Sequence, residues 1–134
     1  MKTTVLDASA MLAMFLGESG MDKMRELFHK ASEDDRPVFI SAVSWAEVLY
    51  RMERKHGKAG YDTARQFEQT TPLDAVPVDR ELAEAAALLK NEHGLGLADA
   101  FAAALAKHKK AELVTADHEF KSVEKEIKIN WLAK

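Results

Sequence analysis

The sequence predicts an α/β fold of the doubly wound class, and three observations carry that expectation. Short apolar, β-branched runs alternate with longer stretches of helical period along the whole chain. Alternation of this kind builds βαβ units, whose strands run mostly parallel in a sheet covered on both faces. The 134 residues are 47% hydrophobic, which suits one well-filled core and is too little for two ordinary domains, so one domain spanning 1–134 is expected.

Each element has a local reason. Thr3-Thr4-Val5-Leu6 is β-branched and apolar and reads as a strand closed by Asp7, and residues 8–16, rich in Ala, Met and Leu, favour helix. Ser19 can cap a second helix, in which Met21, Met24, Leu27, Phe28 and Ala31 recur at helical spacing before Asp34-Asp35. Residues 37–40 read as a buried strand with Pro37 at its tolerated first position, and Ser41 suits the N-cap of a helix over 42–56. Gly57 and Gly60 bracket a break before a helix over 61–69, which Thr71-Pro72 stops. A strand over 75–78 follows, then a helix capped by Asp79 and running to His93. Gly94-Leu-Gly96 turns the chain into a helix over 97–109. The remainder reads as a strand over 112–115, a short polar helix over 118–124 and a last strand over 127–130.

Composition narrows the function. The absence of cysteine removes disulfides, thiol nucleophiles and cysteine-based zinc sites, and a reducing, cytoplasmic setting fits it best. Neither a secretory h-region nor an apolar run of about 18 residues is present, so no membrane role is expected. Nineteen Lys and Arg against twenty-two Asp and Glu give a net charge of −3, so a nucleic acid would have to meet a local basic patch. Phosphate-binding, dinucleotide-binding, zincin and nucleophile-elbow motifs are all missing; Gly94-Leu-Gly-Leu-Ala-Asp99 fails the dinucleotide pattern at its last position. A phosphoaspartate site would need a second acid beside Asp7, where Ala8 and Ser9 stand instead.

Ligands of doubly wound sheets sit beyond the carboxyl ends of the strands. Asp7 closes the first strand there, and Asp117 lies two residues past Thr115. Glu47 occupies the second turn, and Asp99 the first turn, of helices leaving the same edge. Singly, each has an ordinary explanation as a cap, a turn former or a solvated helix acid. Together they would repel one another unless a cation neutralised them, and an oxygen-only set selects Mg²⁺ or Mn²⁺. Such ions keep waters that can be activated against phosphate.

Four segments resemble the PIN-domain family, and within it the small VapC-type toxin ribonucleases. They are Val5-Leu-Asp-Ala-Ser9, Ile40-Ser-Ala-Val-Ser-Trp-Ala-Glu47-Val, Gly94-Leu-Gly-Leu-Ala-Asp99-Ala and Leu113-Val-Thr-Ala-Asp117-His-Glu-Phe120, in matching order over essentially the whole chain. The resemblance implies a three-layer α/β/α fold on a sheet of about four or five strands, mostly parallel. It implies that Asp7, Glu47, Asp99 and Asp117 bind one or two Mg²⁺ or Mn²⁺ ions for hydrolysis of RNA, leaving a 5′-phosphate and a 3′-hydroxyl. Ser9 and Thr115 match hydroxyl positions that would orient the carboxylates, and Glu119 falls where many relatives carry a further acid, here with a longer side chain. Family members are usually homodimers paired with a cognate antitoxin. The helical hairpin after Gly57 resembles the clip that serves such contacts, and Trp45, Tyr50 and Phe67 are candidates to face that partner or, more ordinarily, to fill the core.

Arg51, Arg54, Lys55 and Lys58 follow Glu47 and outweigh Glu53 for a local charge of +3, a candidate track for RNA phosphates. Lys107, Lys109 and Lys110 read more simply as complements to a helix C-terminus. Two rival readings stay open: a PIN-fold interaction module without catalysis, and an RNA-processing nuclease without an antitoxin.

Overall fold

The structure, a computed structural model, describes residues 2–132. Strands β1 (Thr4–Leu6), β2 (Val38–Ser41), β3 (Leu73–Val76), β4 (Glu112–Thr115) and β5 (Ile129–Trp131) form a sheet in the order β3-β2-β1-β4-β5. Every neighbouring pair is parallel. Parallel neighbours require crossovers, and these place helices on both faces.

The period of two along each strand sorts the core into two halves. Leu6, Val38, Ile40 and Val114 pack with α1 (Ala8–Phe15), α2 (Met21–Glu33) and α3 (Ala42–Thr70). Val5 and Leu113 pack on the other face with α4 (Arg80–His93) and α5 (Leu97–His108). Leu6 and Leu113 are wholly buried, and each such side chain contributes roughly 1.5–3 kcal/mol by leaving water. The expected α/β/α layering is therefore what the apolar pattern builds.

Most helix signals act as read. The Ser41 hydroxyl accepts from the Val43 and Ser44 amides at 3.1 and 3.3 Å, and the Asp79 carboxylate accepts from Leu82 at 2.8 Å. The break at Gly57 is real: its φ of 67° and ψ of −161° interrupt α3. Gly60 closes the bend, since a Cβ there would stand 2.4 Å from the Met52 carbonyl oxygen. Between Asp117 and β5 lies a 3-10 helix, His118–Val123.

Of the boundaries that differ from expectation, three have a clear physical cause. The N-cap of α2 is Gly20 rather than Ser19, because φ is 99° and a Cβ would strike Leu132. β3 begins at Leu73, two residues early, because its partner β2 ends at Ser41 opposite Val76, and Pro77 has no amide to extend the ladder. β5 starts at Ile129, since Ile127 is still tied to the Val123 carbonyl and buried below the sheet edge.

The sheet order reverses at β1: the chain builds outward through β2 and β3, then returns to place β4 on the other side. The crevice at such a switch point lies over the carboxyl ends of the two central strands. Asp7 and Asp117 flank that crevice.

Candidate metal centre

Asp7 leaves the end of β1 and turns inward, where it is 2% exposed. Its carboxylate accepts from Ser9 Oγ at 2.8 Å, from Thr115 Oγ1 at 2.6 Å and, as the cap of α1, from the Ala10 amide at 3.0 Å. Ser9 Oγ and Thr115 Oγ1 stand 3.2 Å apart, and each also accepts a backbone amide, from Ala116 and Asp117 respectively. The two hydroxyls thus bolt the end of β1 to the end of β4. Capping and site-building are one role here rather than alternatives.

Asp99 stands in the first turn of α5, which the side-chain-free Gly96 opens. Asp117 caps the 3-10 helix by accepting from the Glu119 amide at 2.9 Å. Carboxylate oxygens of Asp99, Asp117 and Glu119 lie within 4.8 Å of one another. That is close to the roughly 4 Å between opposite oxygens around a small hard cation. Glu119, expected to have an auxiliary place, is fully a member of this group; its spacing of two from Asp117 was the available signal.

The electrostatics mark the group as short of positive charge. Burial pushes the Asp7 carboxyl up from 3.8 to about 6, against the pull of Thr115, Ser9 and Ala10, with the Asp117 charge adding to the rise. Burial also pushes Asp99 up to about 7, reinforced by the charges of Asp117, Asp7 and Glu119 and by a hydrogen bond with Asp117 that favours its protonated form. A desolvated set of carboxylates of this kind is stabilised by a hard divalent ion, and the oxygen-only donors fit Mg²⁺ or Mn²⁺.

Glu47 stands apart from that ligand group. Half-buried in the second turn of α3, it directs Oε2 to Arg51 Nη1 at 3.7 Å, one helical turn on. Arg51, Arg54, Lys55 and Lys58 are all exposed, before and just after the kink. Trp45 is a core residue, and Phe67 packs edge-on against Phe15 and Phe28, whereas Tyr50 is 54% exposed. Met14, Phe15 and Phe67 also line an open groove of about 440 Å³ between α1 and the second half of α3.

A second group with ligand spacing, Glu92, His93 and Glu126, ties the end of α4 to the turn before β5. Here Lys107 Nζ reaches Glu126 Oε1 at 2.8 Å and His93 Nε2 reaches Oε2 at 2.5 Å. Lys107 and then His93 hold the Glu126 carboxyl below its usual range. The Lys107 ammonium already supplies this position with positive charge.

Comparison with known proteins places these features in a family. A sequence model described as PIN domain matches residues 4–126. No curated protein sequence matches the chain. Among solved structures, the chain is similar to one in the DNA-bound VapBC of Salmonella typhimurium, with a TM-score of 0.79 and 19% identity over 98% of this chain and 99% of that one. It is similar to one in the VapBC2 of Rickettsia felis bound to a promoter DNA fragment, with a TM-score of 0.77 and 16% identity over 96% and 97%. It is also similar to Mycobacterium tuberculosis VapC20, a Sarcin-Ricin loop cleaving toxin, with a TM-score of 0.75 and 18% identity over 90% and 95%.

Proposed function

Because the chain belongs to the PIN domain family, we propose that it is a metal-dependent endoribonuclease and the toxin of a VapBC-type toxin-antitoxin pair. The observation that carries this reading is the cluster of Asp7, Asp99, Asp117 and Glu119 at the switch point, where Asp7 and Asp99 are met by hydroxyls, an amide and other carboxylates. Asp99, Asp117 and Glu119 would hold Mg²⁺ or Mn²⁺, with Asp7 as the buried acid beneath them. When bound, the ion supplies Lewis-acid stabilisation of phosphate charge and a water activated for attack.

The residues of the chain do the rest. Ser9 and Thr115 fix the Asp7 carboxylate in one orientation, so the site does not reorganise when the ion enters. Glu47 would join only by turning away from Arg51, which frees that guanidinium for a phosphate. Arg51, Arg54, Lys55 and Lys58 would attract the RNA backbone to a protein of net negative charge.

The toxin assignment draws on fold and length, since the VapBC chains cited above align almost end to end with this one. The groove edged by Met14, Phe15 and Phe67 gives an antitoxin segment an apolar seat. Exposed Leu88 and Leu97 support a homodimer. No helix among the described residues is long and apolar enough to cross a membrane.

The test is cleavage of structured RNAs by protein freed of any antitoxin, with Mg²⁺ or Mn²⁺, beside Asp7→Asn. Activity is expected to vanish with chelator and in the variant; activity that survives either contradicts the metal-nuclease reading. Metal binding without turnover would point to an interaction module. A small DNA-binding protein encoded next to this frame favours the toxin role over housekeeping RNA processing.

A further inference from the structure

A pair of stacked rings stands at the rim of the acidic cluster. His118 lies between Asp117 and Glu119, and its imidazole stacks on the Trp131 indole with centroids 5.6 Å apart and planes 23° from parallel. His118 is exposed and Trp131 half-buried, so the indole forms the base of the stack and the imidazole its open face.

Both rings are mounted firmly. Trp131 is paired in register with Thr115, the residue whose hydroxyl holds Asp7. The ladder continues one residue further, with the Leu132 amide on the Thr115 carbonyl at 2.8 Å. Lys23 Nζ pins the same edge through Asn130 Oδ1 and the Trp131 carbonyl, at 2.8 and 3.1 Å. The Asp117 cap fixes the backbone that carries His118. Core packing does not account for the exposed ring, because Phe120 and Val123 already anchor the 3-10 helix.

We infer that His118, stacked on Trp131, is a platform for an unpaired nucleobase of the RNA, placed beside the carboxylates so that the adjoining phosphate falls over the metal centre. The inference rests on the ribonuclease reading and names how that site would take its substrate. Single-stranded RNA is held chiefly by aromatic faces stacking on splayed bases, and imidazole and indole serve in this way. The carboxylates on either side repel a phosphate that arrives without the ion, whereas the exposed ring face offers a flat surface to a base. Stacking tolerates any base, so the platform would set the position of cleavage more than its sequence.

The experiment compares wild type with His118→Ala and His118→Phe on a short single-stranded RNA, together with NMR titration of the metal-free protein by AMP and by ribose 5-phosphate. His118→Ala is expected to raise KM about tenfold, the scale of one stacked base, with kcat changed far less. His118→Phe is expected to restore KM. AMP should shift the His118 and Trp131 ring resonances, and ribose 5-phosphate should leave them in place. Unchanged KM in a folded His118→Ala protein, failure of Phe to rescue, or equal shifts with the sugar phosphate overturns the platform. Absence of cleavage by the wild type sinks the nuclease reading instead, and the AMP titration still decides the platform.

Discussion

Among the described residues, two clusters containing acidic side chains have ligand spacing, and they differ in what faces them. At the end of α4, Glu126 is met by Lys107 and His93, and its carboxyl is held below the ordinary range. At the switch point, Asp7 and Asp99 meet hydroxyls, amides and other carboxylates, and both are pushed up, to about 6 and about 7. The first cluster is complete as folded and joins two segments of the surface. The second is short of positive charge by construction, and that shortage separates a site awaiting a ligand from a structural ion pair.

The largest effect that would break the contrast is on turnover. Asp99→Asn should lower kcat on RNA by on the order of a thousandfold or more, since on the proposed reading it would remove a ligand of the ion that stabilises phosphate charge. Glu126→Gln should leave turnover unchanged within a fewfold. Steady-state kinetics on both variants decides; comparable losses would erase the distinction.

Stability against pH gives the next effect. A carboxyl raised in the folded state contributes stability that is present below its unfolded value, 3.8, and is lost as pH climbs through its folded value. Metal-free protein should therefore weaken between pH 4 and pH 7, by roughly 2 kcal/mol for the buried Asp7 alone. Asp99, partly open to solvent, adds a smaller share that screening reduces. Urea midpoints at the two pH values check this, and the slope should be shallower in Asp99→Asn. A midpoint that rises with pH would reverse the sign of the argument.

The smallest effect belongs to the compensated cluster. Glu126 is depressed, so its contribution is present above the ordinary carboxyl value and fades as pH falls through the lowered one. Because the group is surface-exposed, Glu126→Gln should cost less than about 1 kcal/mol at pH 7. A thermal melt beside the wild type measures it, and a gain in stability would show that Lys107 and His93 do not compensate the charge.

Much of this arrangement was legible in the residues. Asp7 stands where an apolar β-branched strand meets a helix, and Asp117 follows the end of another such strand, so topology alone carries both to one edge. Gly57 and Gly60 announced the kink because few other residues fit a positive φ or a bare backbone contact. The end of β3 was less legible, since the reach of β2 sets it rather than its own propensity. The direction of Glu47 was hidden as well. An acid followed four residues later by Arg has a partner on its own helix, and which neighbour wins depends on side-chain geometry that spacing does not encode. The His118–Trp131 stack joins residues from two elements, and no local pattern foretells it.

Calorimetric titration of the metal-free protein with Mn²⁺ at pH 7, repeated in buffers of different ionisation enthalpy, tests the central claim most directly. Binding should displace protons from the raised carboxyls, disappear in Asp99→Asn and persist in Glu126→Gln. Equal binding by wild type and Asp99→Asn, or loss of binding in Glu126→Gln, would place the ion elsewhere and contradict the account.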